Sequence, residues 1–315
     1  MITTAALRRG TPPRSDSALR RGVVRTLLYY DIWRYPLTSL ELHTFHPGEA
    51  SSHSRFVLAL DAMVRDGSLA REGNYYCLPG REEGARERRR RERHARGMWI
   101  LAGCAARIIK SFPFVRGILV SGDLSKNATG RGSDVDFFIL TEPGRLWIAR
   151  TLLVMFKKTV LLNSKKFFCV NAFCATDSMV VADRNIYQAT EIAQLKPLYN
   201  TALFRAYLDA NGWIREYFPN FSPAALRLPR ATERRSILQR LAEFPFRFLP
   251  AGRIDAALMR GMRREWARRH PELDERTREE IFLCAPGESR AFAGNFQGKV
   301  LRAYATRLRA HGVAP

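Results

Sequence analysis

Cysteine, long apolar runs and acidic residues are all scarce in this sequence, and each scarcity excludes something. Five cysteines, Cys77, Cys104, Cys169, Cys174 and Cys284, form no C-x-x-C pair and leave an odd total. That pattern argues against a disulfide framework or a structural zinc and for reduced thiols, as expected of a cytoplasmic chain. The most hydrophobic stretch, Leu146 to Leu162, is broken by Arg150, Lys157 and Lys158, so no membrane span is expected. Met1 to Ser17 has arginines and prolines but no apolar core of signal-peptide length. No internal repeat, Walker-type loop or Ser/His/Asp order offers a different chemistry.

Acid is outnumbered by base, 30 to 52, leaving a net charge of +22 on 315 residues. Such a surplus fits an anionic partner such as nucleic acid, nucleotide phosphate or a lipid surface. Lysine is scarce as well: only eight of the 52 cations are Lys and 44 are Arg, a skew that a GC-rich genome also produces. Both sources of charge remain open from sequence. With 46% apolar and 26% charged residues the chain has globular composition and is long enough for two cores.

Residues 1–21 read as a flexible basic tail. From Gly22, apolar residues recur at helical spacing through Trp33, Thr38-Ser39-Leu40-Glu41 is a capping-box start, and Phe56, Leu60, Met63 and Val64 mark a third helix. Two short strands about Glu72-Gly73-Asn74 follow. This order over residues 22–80 resembles a winged helix, in which the third helix reads the major groove and the hairpin touches the backbone. The resemblance makes Arg55 and Arg71 candidate nucleic-acid contacts; a packing or protein-contact module is the other reading. His43, His46 and His53 lack the carboxylate or cysteine that would complete a metal set. Residues 81–112 read as a charged linker helix whose apolar half, with Met98, Trp99, Ile100, Leu101, Ile108 and Ile109, packs on the next domain.

The chemistry-bearing segment is Val115 to Leu140. A buried strand ends in Ser121-Gly122, a polar turn and short helix run to Ser133, and a second strand opens with Asp134-Val135-Asp136. Residues two apart on a strand share a face, so the two carboxylates project side by side. Their mutual repulsion is relieved by a cation, and hard oxygen ligands suit Mg²⁺ held partly through substrate phosphates.

The stretch SGDLSKNATGRGSDVDFFIL resembles the signature of the nucleotidyltransferase superfamily, the group of DNA polymerase β, kanamycin nucleotidyltransferase and the CCA-adding enzymes. That signature is an apolar strand, Gly followed by Gly or Ser, a spacer, then Asp, an apolar residue and a second acid. The resemblance implies a mixed α/β core over residues 113–220 that moves a nucleoside monophosphate from a nucleoside triphosphate to a hydroxyl or similar acceptor. Asp134 and Asp136 would hold Mg²⁺, and Ser121, Gly122, Lys126 and Ser133 would bind the nucleotide. Two positions depart from the pattern. Asp123 stands where the family has Gly or Ser. Asn171 stands on the later strand, Phe167–Phe173, where a third carboxylate is usual, leaving Asp177 as the expected general base and Glu191 as a weaker substitute. These departures sustain a rival reading, a transferase core that has lost activity and serves as a nucleic-acid-binding or regulatory module.

Beyond this core, residues 185–195 and 198–208 read as two helices separated by Pro197. Residues 221–315 read as a helical extension, whose Ile254, Leu258, Met262 and Trp266 form an apolar stripe on an Arg-rich helix. That helix packs on the core or rests on an anionic membrane or on RNA. The fold class is therefore α/β (α+β), with a mixed-sheet core.

Overall fold

A computed structural model describes residues 14–162, 168–225, 234–291 and 295–313. The chain forms two compact units, one of residues 1–85, 215–221 and 303–315, the other of residues 86–214 and 222–302. Among the described residues no helix is long and apolar enough to cross a membrane. Most of the expected basic tail, residues 1–13, lies outside the described residues; Arg14 already opens the first helix.

The first unit runs α1 (Arg14–Tyr30), β1 (Leu37–Thr38), α2 (Ser39–Thr44), α3 (His53–Arg65), β2 (Ala70–Glu72) and β3 (Tyr75–Cys77). The strands form an antiparallel sheet in the order β1-β3-β2. The capping box is present: Glu41 N–H donates to the Thr38 hydroxyl, and the Glu41 carboxylate accepts from Thr38 N at 2.8 Å. Leu28, Leu42, Phe56 and Leu60 are wholly buried, the one-sided burial their spacing predicts. Two of the three histidines hold the backbone. His46 accepts from Gly48 N and contacts the Leu19 carbonyl at 3.0 Å, and His43 reaches the Ser51 carbonyl at 2.6 Å.

The second unit begins within α4 (Glu83–Ile109) and continues through β4 (Val115–Ser121), α5 (Gly122–Ser125), β5 (Asp136–Thr141), α6 (Leu146–Thr159), β6 (Cys169–Ala175), α7 (Ile186–Gln194), β7 (Lys196–Tyr199) and α8 (Thr201–Ala210). After the short α9 (Ile214–Tyr217) it resumes with α10 (Ile237–Glu243), α11 (Ala251–Arg269), α12 (Glu275–Ile281), β8 (Phe282–Ala285), β9 (Glu288–Ala291) and the start of α13 (Phe296–Ala310). Its six-stranded sheet has the order β7-β4-β5-β6-β9-β8; β5 and β6 are parallel and every other neighbouring pair is antiparallel. The fold is thus mixed α/β. Trp147, Ile118, Val120, Ile139 and Phe173 fill the core.

Three sequence expectations change here. Pro197 separates two helices, α7 and α8, as expected, but it does so inside a short strand, β7, at the sheet edge where proline is tolerated, and the second helix opens at Thr201 instead of residue 198. The C-terminal extension is not helical throughout, because β8 and β9 pair with each other and β9 adds to β6. On α4 the buried stripe is Ala95, Met98, Ala102, Ala106 and Ile109, while Ile100, Leu101 and Ile108 are exposed, since a straight helix can bury only one stripe against the sheet. The Arg-rich α11 behaves as its plain reading predicts. Leu258, Met262 and Trp266 pack on the core, with Trp266 stacked on Phe282 at 5.1 Å.

Candidate active site

At one end of the large sheet, β4 delivers Ser121 directly opposite Asp136 on β5, and Asp136 lies level with Cys169 on β6. The chain leaves β4 through Gly122, whose φ of +64° is in the left-handed region that glycine adopts without strain. A Cβ there would stand 2.5 Å from Asp136 Oδ2. The backbone bend therefore lies against the carboxylate, and glycine is what permits it.

Burial is the main force raising the Asp136 carboxyl from its ordinary 3.8 to about 6; a hydrogen bond with Cys169 opposes it, and the charges of Asp134, Asp123 and Glu191 add to it. Asp134 precedes the strand, separated from Asp136 by the fully buried Val135, so the two acids flank one inward-pointing residue as the strand period predicts. Asp136 also helps drive the Cys169 thiol up to about 12, although burial is the larger cause. Asn171 donates through Nδ2 to Cys169 Sγ at 2.8 Å, completing a row from amide to thiol to carboxylate.

Asp123, the departure from the family pattern, is engaged locally. Its carboxylate accepts from the Ser133 hydroxyl at 2.7 Å, and that hydroxyl accepts from Gly130 N at 2.9 Å. Asp123 thus closes the loop between α5 and β5, and Ser133 serves the same closure. Thr129, fully buried, contacts His94 Nδ1 at 3.1 Å, and Trp99 donates to Asn127, so α4 braces the loop from outside. Lys126 points to Glu191 on α7, with Nζ 2.6 Å from Oε1.

The remaining sequence candidates lie elsewhere. Asp177 follows the far end of β6, whose Ala175 is level with Thr141, whereas Asp136 is level with Cys169. Six residues of strand separate the two levels, about 20 Å at strand rise, so Asp177 does not reach the Asp134/Asp136 corner. Glu191 does, through its field on Asp136. Arg55 and Arg71 belong to the first unit. Arg55 is exposed at the start of α3. Arg71 donates to the Gly73 carbonyl, lies 3.5 Å from Asp61 and covers the Tyr76 ring. Cys169 is a member of the corner that sequence reasoning misses, although its place two residues before Asn171 on a strand is a signal for a shared face.

Among the described residues, no three His, Cys, Asp or Glu side chains are gathered so as to hold an ion by themselves. Mg²⁺ would need only one or two protein carboxylates there, completing its shell with water and phosphate oxygens. Asp136, a desolvated carboxylate raised further by the charges of Asp134, Asp123 and Glu191, is a group that a nearby cation would stabilise. No protein-family model, curated protein or solved structure matches the chain.

Proposed function

We propose that this protein is a nucleotidyltransferase whose second unit binds a nucleoside triphosphate through Mg²⁺ and passes the nucleoside monophosphate to an acceptor hydroxyl. The carrying observation is the Gly122 bend pressed against Asp136 beside Asp134, within a stretch that resembles the superfamily's signature. Asp134 and Asp136 would hold the ion, which when bound neutralises developing charge on the phosphates. Gly122, following Ser121, would let the backbone at the end of β4 come close to a phosphate. Lys126 supplies a cation whose present partner, Glu191, must be shared with or yielded to the substrate. The first unit's three helices and antiparallel hairpin resemble a winged helix, which suits a nucleic-acid acceptor or regulator.

Titration with ATP, CTP, GTP and UTP in the presence of Mg²⁺ tests the reading. Binding of at least one triphosphate is expected, with about a thousandfold loss in Asp134→Ala/Asp136→Ala, the several kcal/mol of charge stabilisation a metal supplies. Unchanged affinity in that double variant overturns the assignment. A second reading, a nucleic-acid-binding module on an inactive core, is favoured by Asn171 at the expected base position and by the Lys126–Glu191 pair. It predicts no transfer from labelled triphosphates together with salt-sensitive DNA binding that weakens in Arg55→Ala/Arg71→Ala.

A further inference from the structure

The segment around α10 is turned inside out. Two of its polar residues face the protein: Gln239 is fully buried and donates to the carbonyls of Phe112 and Val115, at 3.1 and 2.6 Å. One helical turn on, Glu243 accepts from Phe114 N at 2.8 Å and from Arg116 at 2.7 Å. These bonds, with Phe246 set edge-on against Phe114, fix the segment to the start of β4. Six of its apolar residues point the other way. Ile237, Leu238, Leu241, Phe244, Phe248 and Leu249 are all exposed, from 48% to 77%, and Phe244 and Phe248 meet edge to face in solvent. Six large apolar side chains exposed within thirteen residues are a concentration of the kind that monomers rarely leave uncovered.

Charge selects the cover. From Arg234 to Arg253 the chain carries five arginines and one acid, and that acid, Glu243, is the residue held inward by Arg116. Arg240, Arg247 and Arg253 are exposed beside the apolar residues. A second copy meeting this patch about a two-fold axis would oppose arginine to arginine. Apolar and aromatic side chains ringed by arginine match an anionic bilayer surface, where the rings sit among the headgroups and the guanidinium groups meet phosphate. The patch lies at the start of β4, whereas Ser121 and Asp136 lie at its end, so docking there leaves the acidic corner open.

We propose that α10 and the turn Phe244–Arg247 with Phe248 and Leu249 form a membrane-surface docking site for anionic lipid, lying on the bilayer without crossing it. Co-sedimentation of the full chain with vesicles of phosphatidylglycerol and phosphatidylcholine, against vesicles of phosphatidylcholine alone, tests this. The protein is expected to pellet with the anionic vesicles and to partition about tenfold or more weakly in Phe244→Ser/Phe248→Ser, whose exposed positions leave the fold intact by thermal melting. Arg240→Glu/Arg247→Glu is expected to abolish the preference for anionic vesicles. Equal pelleting with both vesicle types, or unchanged partitioning of the phenylalanine variant, overturns the proposal. A concentration-dependent dimer in sedimentation equilibrium, lost in that variant and accompanied by no vesicle binding, reassigns the patch to a second copy and also overturns it.

Discussion

The two ends of β4 break the same rule in opposite directions. At its C-terminal end a carboxylate, Asp136, is drawn out of water among other acids; at its N-terminal end, phenylalanines and leucines are pushed into water while Gln239 and Glu243 are drawn in. Neither arrangement follows from transfer energies, which bury apolar groups and solvate charge. The packed core between them, Ile118 to Val120 against Phe137 to Ile139, obeys those energies closely. The contrast teaches that a stable sheet can carry local costs at its ends, and that such costs mark where something else is expected to bind.

The largest expected effect concerns the acidic end. Because the folded chain holds Asp136 near 6 while the unfolded chain ionises it near 3.8, the folded state retains a proton between those values that the unfolded state has lost. Stability therefore falls as pH rises through that window and stays lower above it, by about 3 kcal/mol. In chelator, Asp136→Asn is expected to raise stability by about that amount at pH 8 and to change little near pH 4. Denaturant titrations at the two pH values check this; a destabilised variant at pH 8 would show that the carboxylate is not strained and would erase the contrast.

Next in size is the other end, where two substitutions should behave against intuition. Gln239→Ala leaves two buried carbonyls without a donor and should cost about 2 kcal/mol, whereas Phe248→Ser, a loss of a large apolar side chain, should stay within about 0.5 kcal/mol. Comparable costs for the two would mean that the phenylalanine is covered within the chain. Among the destabilising changes Gly122→Ala ranks last, where the left-handed φ and the nearby Asp136 carboxylate should cost about 1 to 2 kcal/mol, read from the denaturation midpoint. An unchanged midpoint would mean that the bend relaxes freely and does not hold the carboxylate.

The acidic end is largely legible in the sequence. Gly122, the polar spacer and Asp134-Val135-Asp136 announce a strand, a bend and a strand because each signal is local, and the alternation of Asp134 and Asp136 about Val135 follows from pleat geometry. Asp177 reads as a base because it lies just beyond the next strand, but strand direction decides which end that is, and β6 runs parallel to β5 and carries it away. Glu191, 65 residues from Lys126, reaches the corner only because α7 packs there. The inverted α10 is invisible for a different reason: Ile237, Leu238 and Leu241 recur at helical spacing, and nothing in that spacing says which side the sheet will occupy.

What the sequence determined by itself, then, was periodicity and punctuation: which residues share a face, where a helix is capped at Thr38, and where a glycine follows Ser121 at the turn. These depend on bonds and sterics within a few residues. The tertiary structure alone decided which face meets the core, because that choice is made by partners more than a hundred residues away, such as the Val115 carbonyl that takes Gln239 inward and leaves Phe244 and Phe248 to the solvent.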